Sequence, residues 1–287
     1  MSATFSGEWT GRDVTVDEVA HELATLRGGG DAGPDLRTSV MTHVAWVPPA
    51  WEDKARAVFA DLGQFYPSRT ILLLPRPEEP DGLHSQISMQ CFPTGGSEVC
   101  TELVELELCG SRADVPASVV VPLLLSDLPV FLRWRGVPPF GERPFEELID
   151  VVDRLIVDST EWPDLPAPYT QLAQVFDRVV VSDIAWARTS RWRPQLASLW
   201  PGIKDVKTIE VTGTEAQANL LAGWLRSRLR HDVALEHIQA DRLAGVKVDG
   251  EPAPFPPGER PDPADLLSDE LDRFSRDRVY EEAVRSA

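Results

Sequence analysis

Residues 83–92 and 99–108 flank the segment Pro93-Thr-Gly95-Gly96-Ser-Glu98, and no other stretch restricts the fold as tightly. Strand-prone runs on either side of a glycine pair, which tolerates positive φ, predict an antiparallel hairpin centred on Gly95-Gly96. That centre sets the register, placing Ile87 opposite Val104, Met89 opposite Glu102 and Cys91 opposite Cys100. One face then carries Ile87, Met89, Cys91, Cys100, Val104, Leu106 and Leu108; the other carries Gln86, Ser88, Gln90, Thr101, Glu105 and Glu107. A division of this kind belongs to a strand pair buried on one side only. Pro93 falls at a non-hydrogen-bonded pair, where its missing N–H breaks no bond with the partner strand.

The same register brings Cys91 and Cys100 together with Cα atoms about 4.5 Å apart, at the short end of disulfide geometry. The three cysteines are an odd number, and Met1-Ser-Ala-Thr-Phe-Ser-Gly-Glu has no basic start followed by an apolar run, so no secretory signal is read there. Both features point to a cytoplasmic protein with buried thiols and no disulfide framework. Cys91, Cys100 and Cys109 also lack the close pairing of structural zinc sites. His43 falls in a predicted strand and reads as a satisfied core residue, neither base nor ligand.

Before the hairpin, helical spacing predicts helices over 16–26 and 51–65, and strands over 38–47 and 70–74. The cluster Gly28-Gly-Gly-Asp-Ala-Gly-Pro34 has no Lys-Ser/Thr behind it and reads as a loop. Beyond Val115 the pattern alternates. Helices are expected over 116–125, 145–151 and 169–177, with strands over 130–134, 154–157 and 179–184, the rhythm of a mostly parallel sheet covered by helices. A helix from Arg193 or Pro194 to Trp200, a strand over 206–211 and a helix over 214–229 capped by Thr214 follow, then an antiparallel pair about Gly245 within 235–248. The expected fold is therefore α/β, with mixed sheets and flanking helices, either two-lobed or one extended sheet. Proline-rich stretches suggest an N-terminal α/β domain over 1–160 and a C-terminal α/β domain over 161–250. Residues 251–287 read as a proline-rich linker and an amphipathic helix over 265–284. In that helix Leu267, Leu271 and Phe274 share a face, and Asp269/Arg273, Asp272/Arg276 and Arg278/Glu282 are opposite charges four apart.

A formal net charge of −18 disfavours nucleic acid and anionic membrane as partners, and no apolar run approaches the roughly 20 residues that span a bilayer. The usual phosphate loops, the nucleophile elbow and His-Glu-x-x-His are absent, so no catalytic residue, cofactor or metal is assigned. Against this acidic background stand two islands, Phe131-Leu-Arg133-Trp134-Arg135-Gly136 and Asp183-Ile-Ala-Trp186-Ala-Arg188-Thr-Ser-Arg191-Trp192-Arg193. Guanidinium forks and indole faces suit recognition of an anion or a protein surface. Arg133, Trp134, Arg135, Trp186, Arg188, Arg191, Trp192 and Arg193 are accordingly the candidate partner-binding residues. Two alternatives stand beside that reading: pairing within the fold to Asp127, Asp153, Asp158 or Asp183, and binding of a sugar phosphate or nucleotide, as in a sugar-phosphate-responsive binding module or a degenerate α/β enzyme.

The islands sit in longer words. The run from Val121 to Gly136, Asp150-Val-Val-Asp153-Arg154-Leu-Ile-Val-Asp158-Ser159, the run from Ser182 to Trp192, Pro67-Ser-Arg69-Thr-Ile-Leu and the tail from Asp265 to Tyr280 together resemble the glucose-6-phosphate dehydrogenase assembly protein (OpcA) family, in its actinobacterial branch. The resemblance implies a non-enzymatic assembly factor and allosteric activator of glucose-6-phosphate dehydrogenase, which opens the oxidative pentose phosphate pathway. It also implies that the dehydrogenase oligomer is the partner.

Overall fold

The computed structural model describes residues 5–28, 40–62, 68–94, 97–258 and 275–287. Its strands form two sheets, of eight and four strands, with helices between them in sequence, an α/β architecture as expected. The chain divides into two compact units, Met1–Leu155 and Ile156–Ala287.

In the first unit the elements are β1 (Phe5–Gly11), α1 (Val16–Gly28), β2 (Met41–Trp46), α2 (Glu52–Leu62), β3 (Ser68–Arg76), β4 (Gly82–Thr94), β5 (Ser97–Cys109), α3 (Pro116–Val120), β6 (Val130–Trp134) and α4 (Arg143–Ile149). Their strands run in the order β1-β4-β5-β3-β2-β6. β1, β4 and β5 are antiparallel, whereas β5, β3, β2 and β6 are parallel. Burial follows this change. β1 alternates between half-buried and exposed residues, while every residue of β2 and β6 is buried, as parallel strands covered on both faces require. β1 has no counterpart among the sequence expectations: its alternation is broken by Gly7 and Gly11, which lack the apolar side chains that mark a face.

The β4–β5 register is the one predicted, with Ile87 on Val104, Met89 on Glu102 and Cys91 on Cys100; the turn residues Gly95 and Gly96 lie outside the described residues. The thiol expectation is corrected. Cys91 and Cys100 form a disulfide, their Cα atoms 4.0 Å apart on the buried face beside Met89, while Cys109 is a buried free thiol. Burial, then the neighbouring Glu79 carboxylate, pushes the Cys109 thiol up to about 11. Glu102 lies on the apolar face and is buried there, balanced by Arg69, whose Nε donates at 2.7 Å, and by Arg27.

Several boundaries shift. The helix expected over 116–125 stops at Val120 and tightens into a 3₁₀ turn over Val121–Leu123, where Pro122 has no N–H for an α-helical bond. Most of the glycine cluster after Gly28 and the end of the 51–65 helix lie outside the described residues.

β7 (Arg154–Val157) spans the division between the units. The second unit continues with α5 (Ala167–Val175), β8 (Val180–Asp183), α6 (Ile184–Ala187), α7 (Trp192–Ala197), β9 (Thr208–Gly213), α8 (Glu215–Leu229), β10 (Ala234–Gln239), β11 (Gly245–Val248), β12 (Glu251–Pro252) and α9 (Arg278–Arg285). Thr214 caps α8 in a capping box with Gln217, satisfying backbone donors that the first turn leaves open. The antiparallel pair expected over 235–248 is not there. β10 lies parallel to β9, joined by the α8 crossover, and β11 lies antiparallel on the other side of β9. β9, α8 and β10 form a βαβ unit with β10 as a largely exposed edge strand, and β11 takes the other side of β9, where Val246 is buried.

Of the helix expected over 265–284, residues 265–274 lie outside the described residues, residues 275–277 are not helical, and α9 starts only at Arg278 because Asp277 caps it in extended backbone; Arg276 pairs with Glu281 and Asp177. Glu282 pairs with Arg228 of α8 in place of Arg278. α9 packs on its own unit, with Tyr280, Ala283 and Val284 buried and α5 and α8 as neighbours. Gly223 makes the α8 contact feasible, since a Cβ there would stand 2.2 Å from the Ala283 carbonyl oxygen.

Candidate partner-binding site

The first island lies on β6 of the first unit. Parallel pairing sets Trp134 beside Trp46 of β2, and their rings stack at 4.8 Å, with Phe145 of α4 edge-on at 5.3 Å. Arg133 is fully buried and donates to the Trp134 carbonyl oxygen. Arg135, just past the strand, is half-buried and lies over the Trp51 ring at 5.5 Å. These charges act on His43 of β2: burial first, then Arg133 and Arg135, push its imidazole down to about 3, so it stays neutral as a core residue.

The second island follows β8 of the second unit, where Asp183 caps α6 by accepting from Ala185 N at 2.8 Å. The Asp183 carboxylate is buried and also accepts from Ser159 N at 3.0 Å, Ser159 Oγ at 2.6 Å and Tyr280 Oη at 3.3 Å, while Tyr169 Oη donates to Ser159 Oγ at 2.9 Å. Burial and then the nearby Asp158 push Asp183 up to about 6, against the pull of its donors. Tyr169 is pushed well above the usual phenol range by burial and then by Asp183. Asp158 itself takes both oxygens to Arg188 Nη1 at 2.9 Å, so the pairing within the fold considered from sequence is present at Asp158. Asp153 caps the Val130 N–H at 2.8 Å instead.

Trp186 is buried, its Nε1 donating to Asp277 at 2.9 Å, one face near Tyr280 and the Arg193 guanidinium stacked over the ring at 3.6 Å. Trp192 is buried with Phe255 edge-on at 5.5 Å. Arg191, half-buried, donates to the carbonyls of Pro256, Pro257 and Gly258. Of the eight candidates, then, Arg133, Trp134, Trp186 and Trp192 lie in the interior, and Arg135, Arg188, Arg191 and Arg193 are partly exposed. The sequence reading did not single out Ser159, Tyr169, Asp277 and Tyr280. Its available signal was an Asp directly after a strand and before a helical turn, at Asp158 and Asp183, which marks an N-cap. Among the described residues no group of three or more His, Cys, Asp or Glu is arranged to hold a metal, and no helix is long and apolar enough to cross a membrane.

Residues 60–177 match the family model described as the glucose-6-phosphate dehydrogenase subunit N-terminal domain, and residues 179–254 match the one described as its C-terminal domain. The chain belongs to this OpcA family. Relatives include the provisionally named OxPP cycle protein OpcA of Nostoc punctiforme, 28% identical over 176 residues, covering 57% of this chain and 38% of the relative. The proteins of the same name from Synechocystis and Synechococcus elongatus are each 27% identical, over 57% of this chain and 37% and 40% of their own lengths. The chain thus spans about two-fifths of the curated relatives it matches. Within the OpcA family frame, Asp158, Ser159 and Tyr169 fall in the N-terminal family domain and Asp183 and Arg188 in the C-terminal one, whereas Phe255–Gly258, Asp277 and Tyr280 lie beyond residue 254.

Proposed function

We propose that this chain is a non-catalytic partner of glucose-6-phosphate dehydrogenase in the oxidative pentose phosphate pathway, promoting assembly of its oligomer and raising its activity. The observation that carries the reading is the pair of consecutive family domains, which together cover more than half of the chain. The chemistry of the second unit is consistent with it. Ser159, Asp183 and Tyr169, the residue types that would attract a search for a nucleophile and base, spend their donors and acceptors on one another and on backbone N–H groups. Activation would follow from tighter binding to the active quaternary state than to its alternatives, since a ligand shifts an equilibrium only by that difference. The sugar-phosphate reading has less support, because Arg188 is already bound to Asp158 through both carboxylate oxygens.

The test is to measure glucose 6-phosphate oxidation and the tetramer fraction of the cognate dehydrogenase with and without the purified chain. The expected result is a rise in one or both, with no turnover by the chain alone. Turnover by the isolated chain, free of dehydrogenase, would overturn the proposal, and so would unchanged activity and assembly.

A further inference from the structure

The three arginines of the second island are satisfied in different ways. Arg188 has a carboxylate and Arg193 covers the Trp186 ring, but among the described residues Arg191 meets neutral acceptors. Its Nη2 donates to Pro256 O at 3.1 Å, Pro257 O at 2.5 Å and Gly258 O at 2.6 Å. Two hydrogens serve three acceptors there, and Nε and Nη1 have no partner among the described residues. Among the described residues no carboxylate faces the Arg191 guanidinium, in a chain of formal net charge −18. The backbone that supplies the carbonyls is largely exposed. Phe255 is 63% exposed and touches Trp192 by its edge, Pro257 and Gly258 are exposed, and only Pro256 is buried. This strap also lies just beyond the family's C-terminal domain, which ends at residue 254.

We propose that Arg191, with the exposed Phe255 ring beside it, is the docking point for an acidic segment of the partner protein, whose carboxylate displaces the strap carbonyls as the acceptor of the guanidinium. The proposal rests on the partner reading above and names the surface and its chemistry. A carboxylate accepts two parallel N–H bonds from a guanidinium, and such charge-assisted bonds are about twice as strong as those to neutral carbonyls. Each parallel fork of the guanidinium joins Nη2 to Nε or to Nη1, so the carboxylate takes Nη2 over from the strap carbonyls and adds one donor that the strap leaves over, and the phenyl ring offers apolar surface to a side chain flanking the acid. Charge complementarity of this kind acts on orientation and association rate and weakens as salt rises.

Two measurements test it. Affinity for the dehydrogenase is compared among the unaltered chain, Arg191→Glu and Phe255→Ala, with melting temperatures alongside; tryptophan fluorescence then follows binding of a hexaglutamate peptide to the same three proteins. Arg191→Glu is expected to weaken the dehydrogenase complex about tenfold and abolish peptide binding, with a melting temperature within about 2 °C of the original, because partly exposed side chains bonded to surface backbone contribute little to stability. Phe255→Ala should weaken the dehydrogenase complex by about threefold and leave peptide binding intact, since the peptide has no apolar flank. Equal dehydrogenase affinity for the chain and Arg191→Glu would overturn the docking proposal while leaving the partner reading in place. If the unaltered chain fails to bind the dehydrogenase but binds hexaglutamate through Arg191, the partner reading fails and the acidic-segment site stands. Arg191-dependent self-association, or displacement of the peptide by glucose 6-phosphate at equal concentration, would assign the site to a second copy or to a phosphate and overturn the proposal.

Discussion

The two arginine–tryptophan islands have nearly the same composition and opposite surroundings. In the first unit, Arg133 and Trp134 belong to a central parallel strand, where both faces are covered and every side chain must find a place in the interior. In the second, the residues leave a strand end through two short helices, so tryptophans turn inward while arginines reach the rim and meet Asp158, the Trp186 ring and the strap carbonyls. Composition alone left recognition and pairing within the fold open for both. Position in the fold separates them: Arg133 on a central strand is a packing residue, whereas Arg188, Arg191 and Arg193 follow a strand end and stay partly exposed.

The largest expected effect breaks the first island. Trp134→Ala removes a stacked and edge-packed indole from between Trp46 and Phe145 and should destabilise the chain by about 3–5 kcal/mol, with loss of the cooperative thermal transition of that unit. A variant that melts within a degree or two of the unaltered chain would refute the packing role. Next comes Asp158→Ala, which leaves Arg188 beside Thr160 without its carboxylate. Arg188 is partly exposed and can turn to water, so about 2 kcal/mol is expected, below the range for a wholly buried pair. Chemical denaturation of the single and double variants with Arg188→Ala should give a coupling energy near the single-variant loss; additive effects would show that the pair contributes nothing.

The hairpin register could be read from the sequence because a glycine pair and a one-sided face specify the same pairing independently, and Cys91 opposite Cys100 followed from it. Whether those sulfurs bond was not legible, since compartment and cysteine count are indirect statements about two atoms that the register had already brought together. The pairing of β10 and β11 was not legible for a different reason: two short strands about a glycine look alike whether they pair with each other or flank a third strand, as they flank β9 here. In the candidate site, residue types were legible and burial was not. Trp186 is enclosed by Asp277 and Tyr280, which are far along the chain and carried no local signal.

Acid should push the two units in opposite directions. His43 titrates at about 3 in the fold and about 6.5 when unfolded, so its stabilising share is complete above pH 6.5 and is lost as pH falls. Asp183 titrates at about 6 in the fold and about 3.9 when unfolded, so its share is largest below pH 4 and is lost as pH rises through 6. Between pH 7 and pH 5, His43→Leu should therefore lose about 2 kcal/mol less stability than the unaltered chain, and Asp183→Asn about 1 kcal/mol more. Urea titrations at the two pH values measure both differences. Equal pH dependence in all three proteins would mean that neither group titrates as its surroundings imply.

The smallest expected effect sharpens the comparison at its finest point, within the second island. Arg193 lies over the outer face of Trp186 at 3.6 Å and is itself partly exposed, so Arg193→Ala removes a cation–π contact at the rim without opening a cavity. About 0.5–1 kcal/mol of stability should be lost, the range for exposed contacts of this type. Arg135 over Trp51 at 5.5 Å is the matching contact of the first island, and its longer separation predicts a still smaller loss for Arg135→Ala. The stacking contacts thus predict the larger stability loss at Arg193, and the proposed interface predicts the larger binding loss there too. Arg193→Ala should weaken the complex measurably and Arg135→Ala should not. If Arg135→Ala weakens binding more than Arg193→Ala, the recognition role belongs to the first island and the contrast between strand interior and strand end does not govern where the partner binds.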